Sequence, residues 1–302
     1  MVQWIKLFSE FVKLHIALSA TLTVAVGFVL SRGNISRELI FPCLSLFILA
    51  CGSCGLNQYQ DRIIDSLMER TRGRPIPSGR ISPPVALFCA IGMILSGLAL
   101  FLYGTPSASV ILALFALAWY NGVYTYLKRR TALAPVPGSI IGMVPPAIGW
   151  ISGGGGFLDT GFWGLAIFFF LWQVPHFWLF ALDHADDYEK AGLPSLKRLF
   201  SANRVRDIIS IWILATACVC FCMPLFLLVR MLPVHLLLIT ATLWLLHGTC
   251  FTLKSNRHGT SCKMAFRRLN LYVLSVLLLL SVDTLANSET VPVSGILAMV
   301  WR

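Results

Sequence analysis

Charge is what this sequence has least of. Only 12% of its 302 residues are Asp, Glu, Lys or Arg, against 57% hydrophobic, and a water-soluble domain carries about a quarter charged residues. So few charges could not cover the surface of a soluble globule of this length, which excludes that class. Acidic residues are scarcest, 13 against 24 Lys and Arg. No stretch alternates apolar and polar residues in strands of about ten, which excludes a membrane β-barrel. Cys51 and Cys54 form a Cys-x-x-C with no second pair, and the nine cysteines are odd in number and lie mostly in apolar runs. They read as packing residues rather than a zinc or redox site. The opening "MVQWIKLFSEFVKLH" lacks an apolar core followed by a small-residue cleavage site, so no removed signal peptide is expected. Linkers, low-complexity segments and a separate soluble domain are also missing, which predicts a single integral membrane domain over 1–302.

What is present is a series of apolar runs, at about 14–31, 39–59, 84–103, 107–127, 136–152, 161–181, 207–229, 233–253 and 268–287. Each is long enough to cross a hydrocarbon core of roughly 30 Å as a helix. The fold class is therefore an all-α polytopic membrane protein with about nine transmembrane helices. The fifth run, "APVPGSIIGMVPPAIGW", is rich in Gly and Pro, a pattern tolerated where a helix lines a cavity inside a bundle. With the N-terminus inside, 20 of the 24 Lys and Arg fall in inner segments, leaving only Arg32, Arg37, Arg230 and Arg302 outside. This predicts a cytoplasmic N-terminus and a periplasmic C-terminus. The net charge of +11 then speaks of orientation and the anionic lipid bilayer, not of nucleic acid.

The same orientation puts every dense polar loop on the inner face. After the second run come Asn57, Asp61 and Asp65 at four-residue spacing, then Glu69 and the arginines Arg70, Arg72 and Arg74. Residues four apart share a helix face, so the first three project together if the helix continues about two turns past the apolar run, with Gly73, Pro75 and Pro77 as its stop. After the sixth run come Asp183, Asp186 and Asp187, and Asp183 and Asp187 repeat the spacing. The loops at 60–82 and 182–206, each acidic first and basic later, hint at an internal duplication. The competing reading is that these are solvated charges that set topology. Regular carboxylate rows in two loops on one face favour a hard divalent cation with an anionic ligand. Mg²⁺ is held by one or two carboxylates plus substrate phosphates, and arginine binds phosphate oxygens in pairs. The run Gly153–Gly156 lies on the opposite face and reads as an outer-loop turn.

These residues resemble the UbiA superfamily of intramembrane prenyltransferases, through Asn-x-x-x-Asp-x-x-x-Asp at Asn57, Asp61 and Asp65 and a later Asp-x-x-x-Asp. Within it, "DRIIDSLMERTRGRPIPSGRISP", "YTYLKRRT", "PPAIGW", "WQVPHFWLFAL" and "DDYEKAGLP" resemble, in order, the blocks of the protoheme IX farnesyltransferase (heme O synthase) family. Three places depart from that family's pattern: Lys13-Leu14-His15, Ala134, and "SLKR" after "AGLP". The resemblance implies a bundle around a central cavity, farnesyl diphosphate as donor, heme b as acceptor and Mg²⁺ as cofactor, in a bacterial inner membrane with the site on the cytoplasmic side. It implies metal binding by Asp61, Asp65, Asp183, Asp187 and Asp186, and diphosphate binding by Asn57, Arg62, Arg70, Arg74, Lys128 and Arg129. Tyr124, one helical turn before Lys128, would stabilise an allylic cation through its ring face. His176 either reaches the heme iron or is a histidine hydrogen-bonded within the bundle. Trp172 and Gln173 either line the porphyrin cavity or pack between helices. His184 would orient an aspartate or touch phosphate. A heme A synthase or terminal-oxidase assembly partner would take the product. Two alternatives stand beside this: a prenyltransferase acting on another aromatic or quinone-precursor acceptor, and a non-catalytic heme-binding factor or transporter. A transporter would carry its polar residues near the midplane in broken helices. Here they lie at one surface.

Overall fold

The computed structural model describes residues 2–254 and 258–287. The expected outer C-terminus with Arg302, and the inner Arg257, lie outside the described residues. Helices α1 (Val2–Val12) and α2 (Leu14–Arg32) precede α3 (Ile40–Leu67), α4 (Pro83–Gly104) and α5 (Ser107–Leu117). A π-helical segment, Ala118–Tyr124, runs on into α6 (Thr125–Leu127). Then follow α7 (Pro135–Gly138), α8 (Ile140–Ser152), α9 (Thr160–Asp183), α10 (Ala185–Lys190), α11 (Leu196–Leu199), α12 (Ala202–Phe221), α13 (Leu232–Lys254) and α14 (His258–Asn287). The described residues contain no strand.

Among the described residues, seven of the nine expected spans are helices long and apolar enough to cross a membrane. The other two need correction. The fifth run is interrupted only at Ser139, where α7 gives way to α8 with the backbone still right-handed (φ −68°, ψ −15°). The 13 residues of α8 rise only about 20 Å. Most of α8 is nonetheless buried, because it presses on α2 without side chains between. A methyl at Gly149 would sit 2.0 Å from the Val24 carbonyl oxygen, and one at Gly27 would sit 2.1 Å from that of Pro146. Such close approach is how helices associate where no hydrophobic effect drives them. The seventh run forms α12 five residues earlier than expected and takes Arg204, Arg206 and Asp207 into its first turns. It stops at Phe221, ahead of a 3-10 turn, Met223–Phe226, and a left-handed Leu227 (φ 59°).

The 28 residues of α3 rise about 42 Å, roughly two turns more than a hydrocarbon core needs. Those extra turns carry the acidic row. The helix ends before Gly73, Pro75 and Pro77, contrary to expectation. Met68 turns extended (φ −98°, ψ 132°), and the Thr71 hydroxyl donates to the Asp65 carbonyl at 2.9 Å. The prolines instead shape the return, where the Ile81 amide donates to the Pro75 carbonyl at 2.9 Å. Helix α1 exposes Trp4, Ile5 and Phe8 and buries Phe11 and Val12. The Gln58 amide fastens its end by donating to the carbonyls of Glu10 (2.6 Å) and Phe11 (2.9 Å).

Candidate functional site

Asn57, Asp61 and Asp65 lie buried along one face of α3, with Asp61 4% and Asp65 2% exposed. The segment facing them is the π-helical stretch. Its Asn121 donates to the Ser53 carbonyl (3.0 Å) and the Gln60 side chain (3.2 Å), and Ser53 donates back to Asn121 at 2.6 Å. The wider turn is anchored by Thr125, whose hydroxyl donates to the Tyr120 carbonyl at 2.9 Å. π-bulges of this kind recur at functional sites because they re-aim the following residues. Here they deliver Lys128 and Arg129 onto Asp61. Lys128 Nζ donates to Asp61 Oδ2, and Arg129 donates to Oδ1 at 2.9 Å. Asn57 Nδ2 donates to Asp61 Oδ2 and to Thr125 Oγ1, both at 3.0 Å. Arg74, from the loop after α3, donates to Asp65 Oδ2 at 2.7 Å.

A residue outside the expected set completes the cluster. Lys13, held left-handed (φ 50°) between α1 and α2, donates from Nζ to Asn57 Oδ1 at 2.7 Å. Burial, and then the neighbouring Arg74, pull its ammonium down from 10.5 to about 8. Lys13, Arg74, Lys128 and Arg129 are four cations around two carboxylates, an excess of two positive charges. Tyr124, one turn before Lys128, stacks on Tyr120 (6.0 Å between centroids) and on Phe177 of α9 (5.8 Å). A cleft lined by Lys128, Tyr124, Phe177, Phe180, Pro194 and Leu196 opens beside them. Lys128, Thr131, Tyr188 and Ser195 give it polar groups among the apolar ones, a lining that suits an amphiphile with an anionic head.

The second acidic row is arranged differently from the first. Helix α9 ends at Asp183 and α10 starts after His184 (φ −116°, ψ 26°). The break means that four-residue spacing does not give Asp183 and Asp187 a common helix face. Asp187 accepts from the backbone amides of Glu69 and Arg70, both at 3.1 Å. These bonds hold its carboxyl below the usual carboxylate range and tie the two acidic loops to each other. Asp183 sits 3.9 Å from both Lys263 Nζ and His184 Nδ1, and Asp186 is exposed. Arg70 lies over the Phe180 ring at 5.1 Å. Arg62 turns away, stacking on Tyr59 at 4.4 Å and donating to its carbonyl. Further along α9, His176 Nδ1 is 2.8 Å from Asn270 Oδ1. Trp172 Nε1 and Gln173 Oε1 are buried without a hydrogen-bond partner among the described residues. The Gln173 oxygen lies where a Gly142 methyl would be, 1.3 Å from it.

Residues 20–283 match the UbiA prenyltransferase family. A protoheme IX farnesyltransferase of Oleidesulfovibrio alaskensis is 31% identical over 280 residues, 93% of this chain and 97% of that protein. One of Geobacter sulfurreducens is 51% identical over 147 residues, so that match spans only 49% of this chain and 54% of that protein. Among solved structures, a UbiA homolog from Archaeoglobus fulgidus bound to DMAPP and Mg²⁺ superposes with a TM-score of 0.69 at 17% identity, over 94% of this chain and 99% of that one. A structure of a digeranylgeranylglyceryl phosphate synthase superposes with 0.73 at 17% identity, over 93% and 99%. At such identity the structural likeness is one of fold. The family match covers most of the helical bundle and includes the buried Asn57, Asp61 and Asp65 row; this chain belongs to the UbiA prenyltransferase family.

Proposed function

We propose that this protein transfers the farnesyl group of farnesyl diphosphate to a vinyl group of heme b, releasing diphosphate and giving heme O for heme–copper oxidases. The observation that carries the reading is the excess of cations around the buried carboxylates Asp61 and Asp65, beside the aromatic ring face of Tyr124. Its similarity to protoheme IX farnesyltransferases points to heme as the acceptor. We place the site on the cytoplasmic side of a bacterial inner membrane, because the basic loops collect there.

A Mg²⁺ ion fits the donor set. Asp61 and Asp65 offer hard carboxylate oxygens one turn apart, and Asn57 an amide oxygen. Among the described residues no three His, Cys, Asp or Glu side chains form a metal cage; Mg²⁺ commonly takes one or two carboxylates and completes its shell with phosphate and water. Asp183 and Asp187 belong to the same reading as ligands reached through substrate. When bound, the ion supplies charge neutralisation of the leaving diphosphate.

The chain's own groups do the rest. Lys128, Arg129, Arg74 and Lys13, now bonded to Asp61, Asp65 and Asn57, turn to the diphosphate oxygens. They stabilise charge as the C–O bond breaks and its electron pair leaves with diphosphate. The Tyr124 face, stacked on Phe177, stabilises the allylic cation. The vinyl π pair forms the new C–C bond, and water adds to the cation left beside the ring, losing a proton. The apolar bundle keeps other water away until then. Offering farnesyl diphosphate and Mg²⁺ with either heme b or a phenolic quinone precursor tests the reading. Turnover of heme b supports it; prenylation of the phenol alone refutes it.

A further inference from the structure

Asn270, on α14, faces the inner half of α9 and decides the chemistry of His176. The Asn270 amide has one orientation. Its Nδ2 donates to the Phe266 carbonyl at 2.9 Å; flipping it would set two acceptor oxygens against each other. Oδ1 therefore points at His176 Nδ1, 2.8 Å away, and an oxygen there requires Nδ1 to carry the hydrogen. The free lone pair of the neutral ring is then on Nε2. That atom has no hydrogen-bond partner among the described residues and is not among their occluded, unpartnered atoms. Around the ring stand Trp172 (4.8 Å between centroids), Phe266 (4.8 Å) and Phe177 (5.7 Å). Phe177 is also the ring stacked on Tyr124, so His176 adjoins the diphosphate end of the site.

We infer that His176 Nε2 is an axial ligand of the acceptor's iron and that Asn270 is its positioning residue, fixing tautomer and ring orientation. An imidazole that donates its second N–H to a carbonyl oxygen is the usual arrangement of a metal-bound histidine, and imidazole is a common axial ligand of heme iron. Ligation from α9 would bring the acceptor next to Phe177 and so near Tyr124, where the allylic cation forms. The inference rests on heme being the acceptor.

Resonance Raman spectra of the full-length protein in nanodiscs, loaded with ferrous heme b and no farnesyl diphosphate, test it. The expected result is an iron–histidine stretching band. Asn270→Asp moves it to higher frequency, because a carboxylate pulls harder on Nδ1–H; Asn270→Leu moves it lower. His176→Gly loses the band, and added imidazole restores it, a readout that does not depend on Asn270 variants folding. A wild-type complex without the band, or a band that neither Asn270 variant moves, overturns the inference. If heme O still forms in that case, the proposed reaction stands without this ligand. If heme b does not bind at all, both fall.

Discussion

Replacing Asp61 by Asn separates the structural role of the acidic row from its chemical one. Asp61 is 4% exposed and holds both Lys128 and Arg129, whose side chains remain 27% and 29% exposed. Breaking a buried pair costs about 3–5 kcal/mol, mostly because an unpaired charge is left behind. The two cations here can turn toward water, so the lower end, about 3 kcal/mol, is expected. The double variant Asp61→Asn/Lys128→Met removes one orphaned charge and regains part of that loss, a non-additive result expected of touching residues. Activity follows another rule. Losing a carboxylate that would hold the ion neutralising the developing charge lowers turnover about 100- to 1,000-fold, and the double variant regains none of it. Thermal unfolding in detergent and farnesyl transfer to heme b, followed by liquid chromatography, measure the two separately. Asp61→Asn with wild-type stability and more than a tenth of wild-type turnover would refute the reasoning.

Three more outcomes are expected. The Lys13 ammonium, lowered to about 8 against 10.5 when unfolded, is charged in both states below pH 8. Between these values only the unfolded chain keeps the proton, so stability rises with pH there while affinity for diphosphate falls. Lys13→Arg removes that fall in affinity, which calorimetric titration of inorganic diphosphate across pH 7–10 would detect. A methyl at Gly138 would lie 2.6 Å from the Tyr124 ring. Gly138→Ala therefore displaces the ring and lowers kcat on the order of tenfold, about 1.4 kcal/mol of barrier, with KM for farnesyl diphosphate little changed. Asp187→Ala removes the acceptor of the Glu69 and Arg70 amides; faster hydrogen exchange over residues 68–82 is the expected result, and unchanged exchange would contradict the tie between the loops.

What could be read in advance depended on how local its cause was. The row Asn57, Asp61 and Asp65 was legible because a single uninterrupted helix enforces its periodicity. Asp183 and Asp187 have the same spacing, but the break at His184 carries no Gly or Pro to announce it. The prolines and glycines of the fifth run marked it as irregular, yet not that α8 would pack backbone to backbone on α2 through Gly27 and Gly149. Lys13 read as one more inner-face cation; its place at the site depends on a left-handed turn at a non-glycine residue and on Gln58 clamping α1. Asn270 meets His176 across 94 residues, and nothing in its neighbourhood in sequence marks it.

The central claim is tested most directly by the mass of the heme product. Purified protein is incubated with Mg²⁺, farnesyl diphosphate and heme b in heavy-oxygen water, and the hemes are extracted for mass spectrometry. The account predicts a product heavier than heme b by one farnesyl group and one hydroxyl carrying the heavy isotope, abolished by Asp65→Ala. Unchanged heme b, or a farnesylated product whose oxygen is not from water, would contradict it.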